Sequence, residues 1–257
     1  MGDKTHGVLN LENMTYRELE VEVARDVPLL LPIGAIEQHG PHMPLGTDTF
    51  IHAEIVKRLG SSRRILLAPP IWFSAYSRPL SGGGRTFVGT IGVSGRSMQA
   101  YFRDLAADLF RQGFRRLVVL NGHMENASFV AEALEEAVEP YRETHKAIMI
   151  SWAYQITNDE LDLIFPDGFP GWEIEHAGVV ETSLMEALLP ELVRVELKVD
   201  GGPERYPTYE IFPPPPDTVP PNGLLSKSTP ASADIGRLVA DIVVRRFEAI
   251  LQREFPA

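Results

Sequence analysis

Two short segments carry an imidazole and a carboxylate at the same spacing: Glu37-Gln38-His39 and His123-Met124-Glu125. In locally extended backbone, residues i and i+2 project to one side, so each segment can present one acid and one imidazole to a common point. Asp48 follows the first segment at the start of a helical pattern. By itself it would be an ordinary acid beside the free N–H groups of a helix start. Taken with the two pairs, it completes a set that can hold two divalent ions: Glu37, His39, His123 and Glu125 give two ligands to each, and a bridging Asp48 raises both to three. Positions then remain open for water and substrate. Such ions acidify water and polarise a carbonyl, so the chemistry expected is hydrolysis at neutral pH.

The chain contains no cysteine. That excludes disulfides, Fe–S clusters, thiolate zinc sites and a cysteine nucleophile, and leaves His, Asp and Glu as the only strong metal ligands. An all-nitrogen-and-oxygen donor set fits Zn²⁺ or Mn²⁺ better than Cu(I).

These residues need a frame that brings distant segments together. Short apolar runs alternate with longer amphipathic ones, which predicts an α/β fold of repeated βα units with a mostly parallel central sheet. Strands are expected at Pro28 to Gly34, Arg64 to Ala68, Phe87 to Val93, Leu117 to Leu120 and Lys146 to Trp152. Helices are expected from a Thr15/Glu18 capping box to Ala24, at Thr47 to Leu59 with Gly60 as its stop, at Ser97 to Gln112, Asn126 to Glu139, Gly178 to Leu189 and Asp234 to Arg253. Both acid-imidazole pairs then fall just beyond the carboxyl ends of parallel strands, where ligands gather in open α/β sheets.

With 257 residues the chain can bury a sizeable core, and it reads as one domain spanning 1–257. A proline-rich arm at about 203–222 is expected on the surface, with a role in subunit contact. Against 35 Asp+Glu there are 24 Lys+Arg, a net charge of −11, which argues against nucleic acid or an anionic membrane surface as a partner. Hydrophobic content of 44% with 23% charged residues is the composition of a packed globular protein. The amino-terminal segment lacks the apolar core of a secretory signal, and no apolar stretch is long enough to span a bilayer, so a cytoplasmic location is expected.

The segments LPIGAIEQHGPHMPLGTD, SGGG, NGHMENASF and GWEIEHAGVVETSLM resemble those of the creatininase family, and the similarity runs from about Val27 to Arg253-Glu254-Phe255-Pro256. The resemblance implies a three-layer α/β/α sandwich, reversible opening of creatinine to creatine, two divalent ions per subunit (Zn and/or Mn) and a homohexamer. Carried over by position, Glu37 and His123 resemble ligands of one ion, His39 and Glu125 those of the other, and Asp48 the bridge. Ser81 resembles a substrate-contacting serine, where the glycine run alone would read as a flexible loop. Trp152 and Trp172, core aromatics by residue type, resemble the tryptophans that line and cover the family's substrate pocket, with Glu173 beside them. His176, by residue type an ordinary histidine at a helix entry, resembles the proton shuttle, beside Glu175.

Two departures bear on substrate identity: Met124 stands where a tyrosine is expected, and Arg85 to Thr90 differs from the family pattern. A small amide or formamide other than creatinine, such as a pyrimidine nucleotide intermediate, is the alternative substrate. It would want a basic phosphate pocket, for which Arg78 and Arg85 are the candidates. A metal-binding assembly subunit without catalysis is the reading from another class, although open coordination positions would serve no purpose there.

Overall fold

The computed structural model describes residues 6–59, 63–202, 209, 211–215 and 218–256. Five parallel strands form one sheet: β1 (Gly7–Asn10), β2 (Leu29–Ile33), β3 (Arg64–Leu67), β4 (Arg116–Asn121) and β5 (Lys146–Ser151), in the order β1-β3-β2-β4-β5. The helices are α1 (Tyr16–Ala24), α2 (Thr47–Leu59), α3 (Gly95–Arg111), α4 (Asn126–Val138), α5 (Asn158–Ile164), α6 (Val179–Leu188) and α7 (Ala233–Glu254).

The period of two along each strand sorts the core into two layers. Leu30, Val118, Leu120 and Ile150 point to one face and pack with Ile51 and Ile55 of α2, Val180 and Leu184 of α6, and Val243 and Phe247 of α7. Leu29, Leu31, Ile33, Leu117 and Val119 point to the other and meet Phe102 and Phe110 of α3 and Val130 and Ala133 of α4. Strands covered on both faces carry near-continuous apolar runs, as LLLPI and RLVVLN do. This is the expected three-layer α/β/α arrangement.

The topology sets the site. After β2 the chain enters α2 on one face and returns to β3, whereas β4 lies on the opposite side of β2 and continues into α4 on the other face. The connections therefore diverge between the carboxyl ends of β2 and β4, a switch point that opens a crevice.

Three details depart from the sequence expectations. Phe87 to Val93 is not a strand: only isolated bridges join Ile91 to Ile36 and Val93 to Ala75, because Gly89 at φ +94° turns the chain where a ladder would have to continue. The sheet takes its fifth strand from Gly7–Asn10 instead, paired along β3. Helix α5 was not anticipated, although Thr157 and Glu160 form a reciprocal capping box at its start. The Thr15/Glu18 box opens α1 as expected. Gly60 lies outside the described residues, as do 203–208, 210 and 216–217 of the proline-rich arm; the described part of the arm forms no helix or strand.

Candidate active site

The crevice between β2 and β4 is built by close approach of backbones. Gly122, just past β4, donates its N–H to Ile33 O at 2.8 Å, and a Cβ there would stand 2.5 Å from the Asp48 carbonyl oxygen. Only glycine lets the first turn of α2 pass this close, and the approach sets Asp48 between the loop after β2 and the loop after β4. Its Oδ1 lies 3.0 Å from His39 Nε2 and its Oδ2 3.2 Å from His123 Nδ1. Glu37 Oε2 is 3.4 Å from the same His123 Nδ1, and all four side chains are buried.

Three groups of potential ligands result; one is Glu37, His39 and His176, and the other two share a residue. Glu37, Asp48 and His123 converge on one point; His39, Asp48 and Glu181 converge on another, with His39 Nε2 3.7 Å from Glu181 Oε2. Asp48 is common to both. Glu181 was missed in the sequence. It lies in the first turn of α6, one turn beyond His176, and its Oε2 accepts the Ala177 N–H at 2.7 Å. Ala177 itself is held in left-handed backbone, φ +56°, a conformation that non-glycine residues adopt at a cost.

Glu125, expected as a ligand, stands at the entry to α4. It faces the far side of the His123 ring, 3.3 Å from Nε2, outside the three groups. Its Oε1 accepts from Ser81 Oγ at 2.5 Å and from the Arg78 N–H at 2.9 Å. As the first residue of the turn into α4 it makes no side-chain cap, because its carboxylate is committed to the serine loop instead.

Glu37 Oε1 is buried with no hydrogen-bond partner, and Asp48 Oδ2 is buried with the His123 imidazole 3.2 Å away but not aligned for a hydrogen bond. Leaving a buried polar atom unpaired costs about 1–3 kcal/mol, more for charged groups. Bound cations would satisfy both, and a mixture of carboxylate and imidazole suits Zn²⁺ or Mn²⁺. The residues present thus fit a metal centre.

The charges are arranged accordingly. Burial would lower His39, but Asp48, with Glu181 and Glu37 behind it, overrides that and holds the imidazole up at about 10. His123 is likewise raised against its burial by Glu125 and Glu37. Burial raises Glu37 despite the His123 imidazole beside it, whereas Asp48 is held well below the usual carboxylate range because the two imidazoles outweigh its desolvation. His176 goes the other way: burial, then the neighbouring His39, push it well below the ordinary imidazole value, so it is neutral.

A cavity of about 80 Å³ opens onto this cluster, lined by Glu37, Asp48, His123, Glu125, His176 and Glu181 on one side. Ser81, Met124, Trp152 and Trp172 line the rest, the two indoles meeting edge to face with centroids 5.7 Å apart. His39 stands behind Asp48. Glu173 does not reach this cavity; it lies exposed beside a neighbouring hollow of about 870 Å³ under the proline-rich arm. Glu175 lines the small cavity, but its Oε1 accepts the Val180 N–H of α6 at 2.5 Å, so it fixes the start of that helix rather than projecting towards the ligand groups. Burial raises its pKa to about 8.

The sequence and fold have known counterparts. The chain is 36% identical over 249 residues to creatinine amidohydrolase of Pseudomonas putida, covering 95% of this chain and 96% of the relative. The solved structure of a manganese form of creatininase matches with a TM-score of 0.92 at 35% identity, over 97% of this chain and 100% of that one. A Zn–Zn form of a creatininase point mutant also matches with a TM-score of 0.92 at 35% identity, over 96% and 98%. Both metals that suit the donor set therefore occur in structures of this fold. Residues 12–251 match the family described as "Creatininase: Creatinine amidohydrolase", and the chain belongs to the creatininase family, as a hydrolase of that family's fold.

Proposed function

We propose that this chain hydrolyses a cyclic amide at a binuclear metal site, with the reversible conversion of creatinine to creatine as its reaction. The observation that carries the reading is the small cavity itself, lined by Asp48 and its neighbouring ligand residues together with the Trp152/Trp172 pair. Glu37, Asp48 and His123 would hold one ion and His39, Asp48 and Glu181 the second, with Asp48 shared. When bound, such ions acidify a water molecule and polarise the amide carbonyl.

The chain's own residues supply the rest. The indole faces and edges hold a flat heterocycle and exclude bulk water. His176, neutral and within 3.9 Å of Glu37, is placed to take a proton from the incoming water and return it to the departing ring nitrogen. The balance is addition of water across one C–N bond: oxygen to the carbonyl carbon, hydrogen to the ring nitrogen, giving a carboxylate. Ser81, fixed by Glu125, offers a hydroxyl at the cavity mouth.

No Lys or Arg lines the cavity among the described residues, and Arg85 lies stacked over the Tyr76 ring at 3.7 Å. This favours a neutral or cationic heterocycle over a phosphate-bearing nucleotide. We read residues 1–257 as one catalytic unit, because both core layers pack on a single sheet and the ligand residues meet in one crevice beyond its strands. No helix among the described residues is long and apolar enough to cross a membrane. A cytoplasmic homohexamer is part of the proposal; exposed Phe73, Val88 and Ile91 offer apolar surface for subunit contact.

The test is a creatinine-to-creatine assay in both directions after loading with Mn²⁺ or Zn²⁺, run beside other lactams and formamides, with sedimentation to fix the subunit number. Turnover of creatinine above the rest supports the reading. Silence on creatinine with turnover of a formamide overturns the substrate.

A further inference from the structure

Gln38 lies between two of the ligand residues and is buried, yet nothing in the reaction has so far used it. Its surroundings are specific. The side-chain Oε1 accepts the Gly40 N–H at 3.0 Å, and Nε2 reaches the carbonyl oxygens of Gly223 at 2.8 Å and Gly82 at 3.3 Å. His176 Nε2 lies 2.9 Å from the same amide nitrogen and 2.8 Å from Gln38's own backbone carbonyl. Space for the amide is made by glycines with left-handed backbone: a Cβ on Gly223 (φ +77°) would stand 2.0 Å from Gln38 Oε1, and one on Gly83 (φ +84°) 2.4 Å from Nε2. No side chain could replace hydrogen at either position without expelling the glutamine.

Counting hydrogens decides the network. A primary amide has two donors, and two carbonyl oxygens wait for them. The flipped amide would set Oε1 against both carbonyls, so its orientation follows from its partners. With both amide hydrogens committed, His176 Nε2 must carry its own proton and donate it to the Gln38 carbonyl. A bare Nε2 would face that carbonyl lone pair to lone pair and would compete for a hydrogen that Gly82 or Gly223 needs. The imidazole is therefore held as its Nε2–H tautomer, with the Nδ1 lone pair turned to the cavity on the side of Glu37.

We propose that Gln38 is a positioning residue for the reaction: its backbone carbonyl and side-chain amide together fix the tautomer and aim of His176, and tie that histidine to the glycine loop at Gly82 and to the base of the proline-rich arm at Gly223. The inference rests on His176 being the proton carrier of the proposed reaction. It goes beyond that reading in assigning which nitrogen works and what holds it.

Gln38→Met keeps the length of the side chain and removes the amide. In the metal-loaded enzyme it should keep its two ions by metal analysis and a KM for creatinine within about threefold, while kcat falls about 10–100-fold, the usual effect of removing an outer partner of a histidine. In ¹⁵N-histidine spectra, with His176 assigned from a His176→Gln sample, the wild-type ring should show protonated Nε2 and bare Nδ1, and Gln38→Met should show a mixture. The wild-type spectrum needs no turnover, so it separates failure of this inference from failure of the substrate assignment. A wild-type ring protonated at Nδ1 overturns the proposal, as does an unchanged kcat in Gln38→Met. Loss of metal from that variant also overturns it, by placing the effect in the ligand loops.

Discussion

The rings of His39 and His176 lie 4.4 Å apart, tilted by 44°, and titrate in opposite directions. His39, against Asp48, is held up at about 10, and its positive charge helps keep His176 neutral. In the metal-free protein the proton on His39 stands where a cation would be.

That proton gives a pH dependence with a definite sign. A histidine raised from 6.5 to about 10 on folding adds stability that is complete below about pH 6.5 and is lost as pH rises through 10. Ligation needs the neutral imidazole, so metal binding releases the proton and strengthens over the same range. The melting temperature of chelator-treated protein should fall between pH 6.5 and 10, while its gap to metal-loaded protein widens. Calorimetry across that range checks it, and a gap that narrows with pH would contradict the assignment.

Asp48 belongs to two of the ligand groups, whereas Glu181 belongs to one. Asp48→Ala should lose both ions and reduce turnover on the order of 10³-fold, equivalent to about 4 kcal/mol of barrier. Glu181→Gln should lose one ion and keep the other. Metal analysis after dialysis distinguishes them; equal loss from the two variants would remove the bridge role.

Trp152 is buried in the core, whereas Trp172 is only half-buried and meets it edge to face. Trp152→Ala should therefore cost stability, about 3–5 kcal/mol by the usual effect of emptying a core site. Trp172→Ala should cost much less stability and act on substrate binding, raising KM about tenfold or more. Denaturant titration beside steady-state kinetics separates the two.

Ala177, at φ +56°, pays for its conformation in the fold, and Ala177→Gly should raise stability by about 1 kcal/mol. The Glu181 carboxylate accepts the N–H of this residue, so the glycine variant also tests whether the turn needs its strain to present Glu181. Thermal melts with metal content on the same samples report both.

Much of this was legible because it is local. The Thr15/Glu18 box and the two acid-imidazole pairs are written within a few residues, and β2 and β4 announce themselves by runs that can only be buried on both faces. Glu181 was hidden because its approach to His39 depends on α6 packing beside α2, a relation with no sequence period. Glu125 matches Glu37 in its spacing from a histidine, but its backbone is already turning into α4, and its carboxylate meets Ser81 as well as the His123 ring. Phe87 to Val93 alternates as a strand would, yet Gly89 breaks it, while GVLN is too short to declare β1.

The switch point between β2 and β4 also has a consequence for folding. Glu37, His39, Asp48 and Glu181 come from segments attached to one helical layer, and His123 from the loop that enters the other. Ions held between them would act as cross-links that close loops of many tens of residues, tightening a junction between the two layers that Gly122 and His123 already make against Asp48. Loaded protein should then unfold as one cooperative unit, and the stripped chain should let the layer of α3 and α4 and the layer of α2, α6 and α7 melt at separate temperatures.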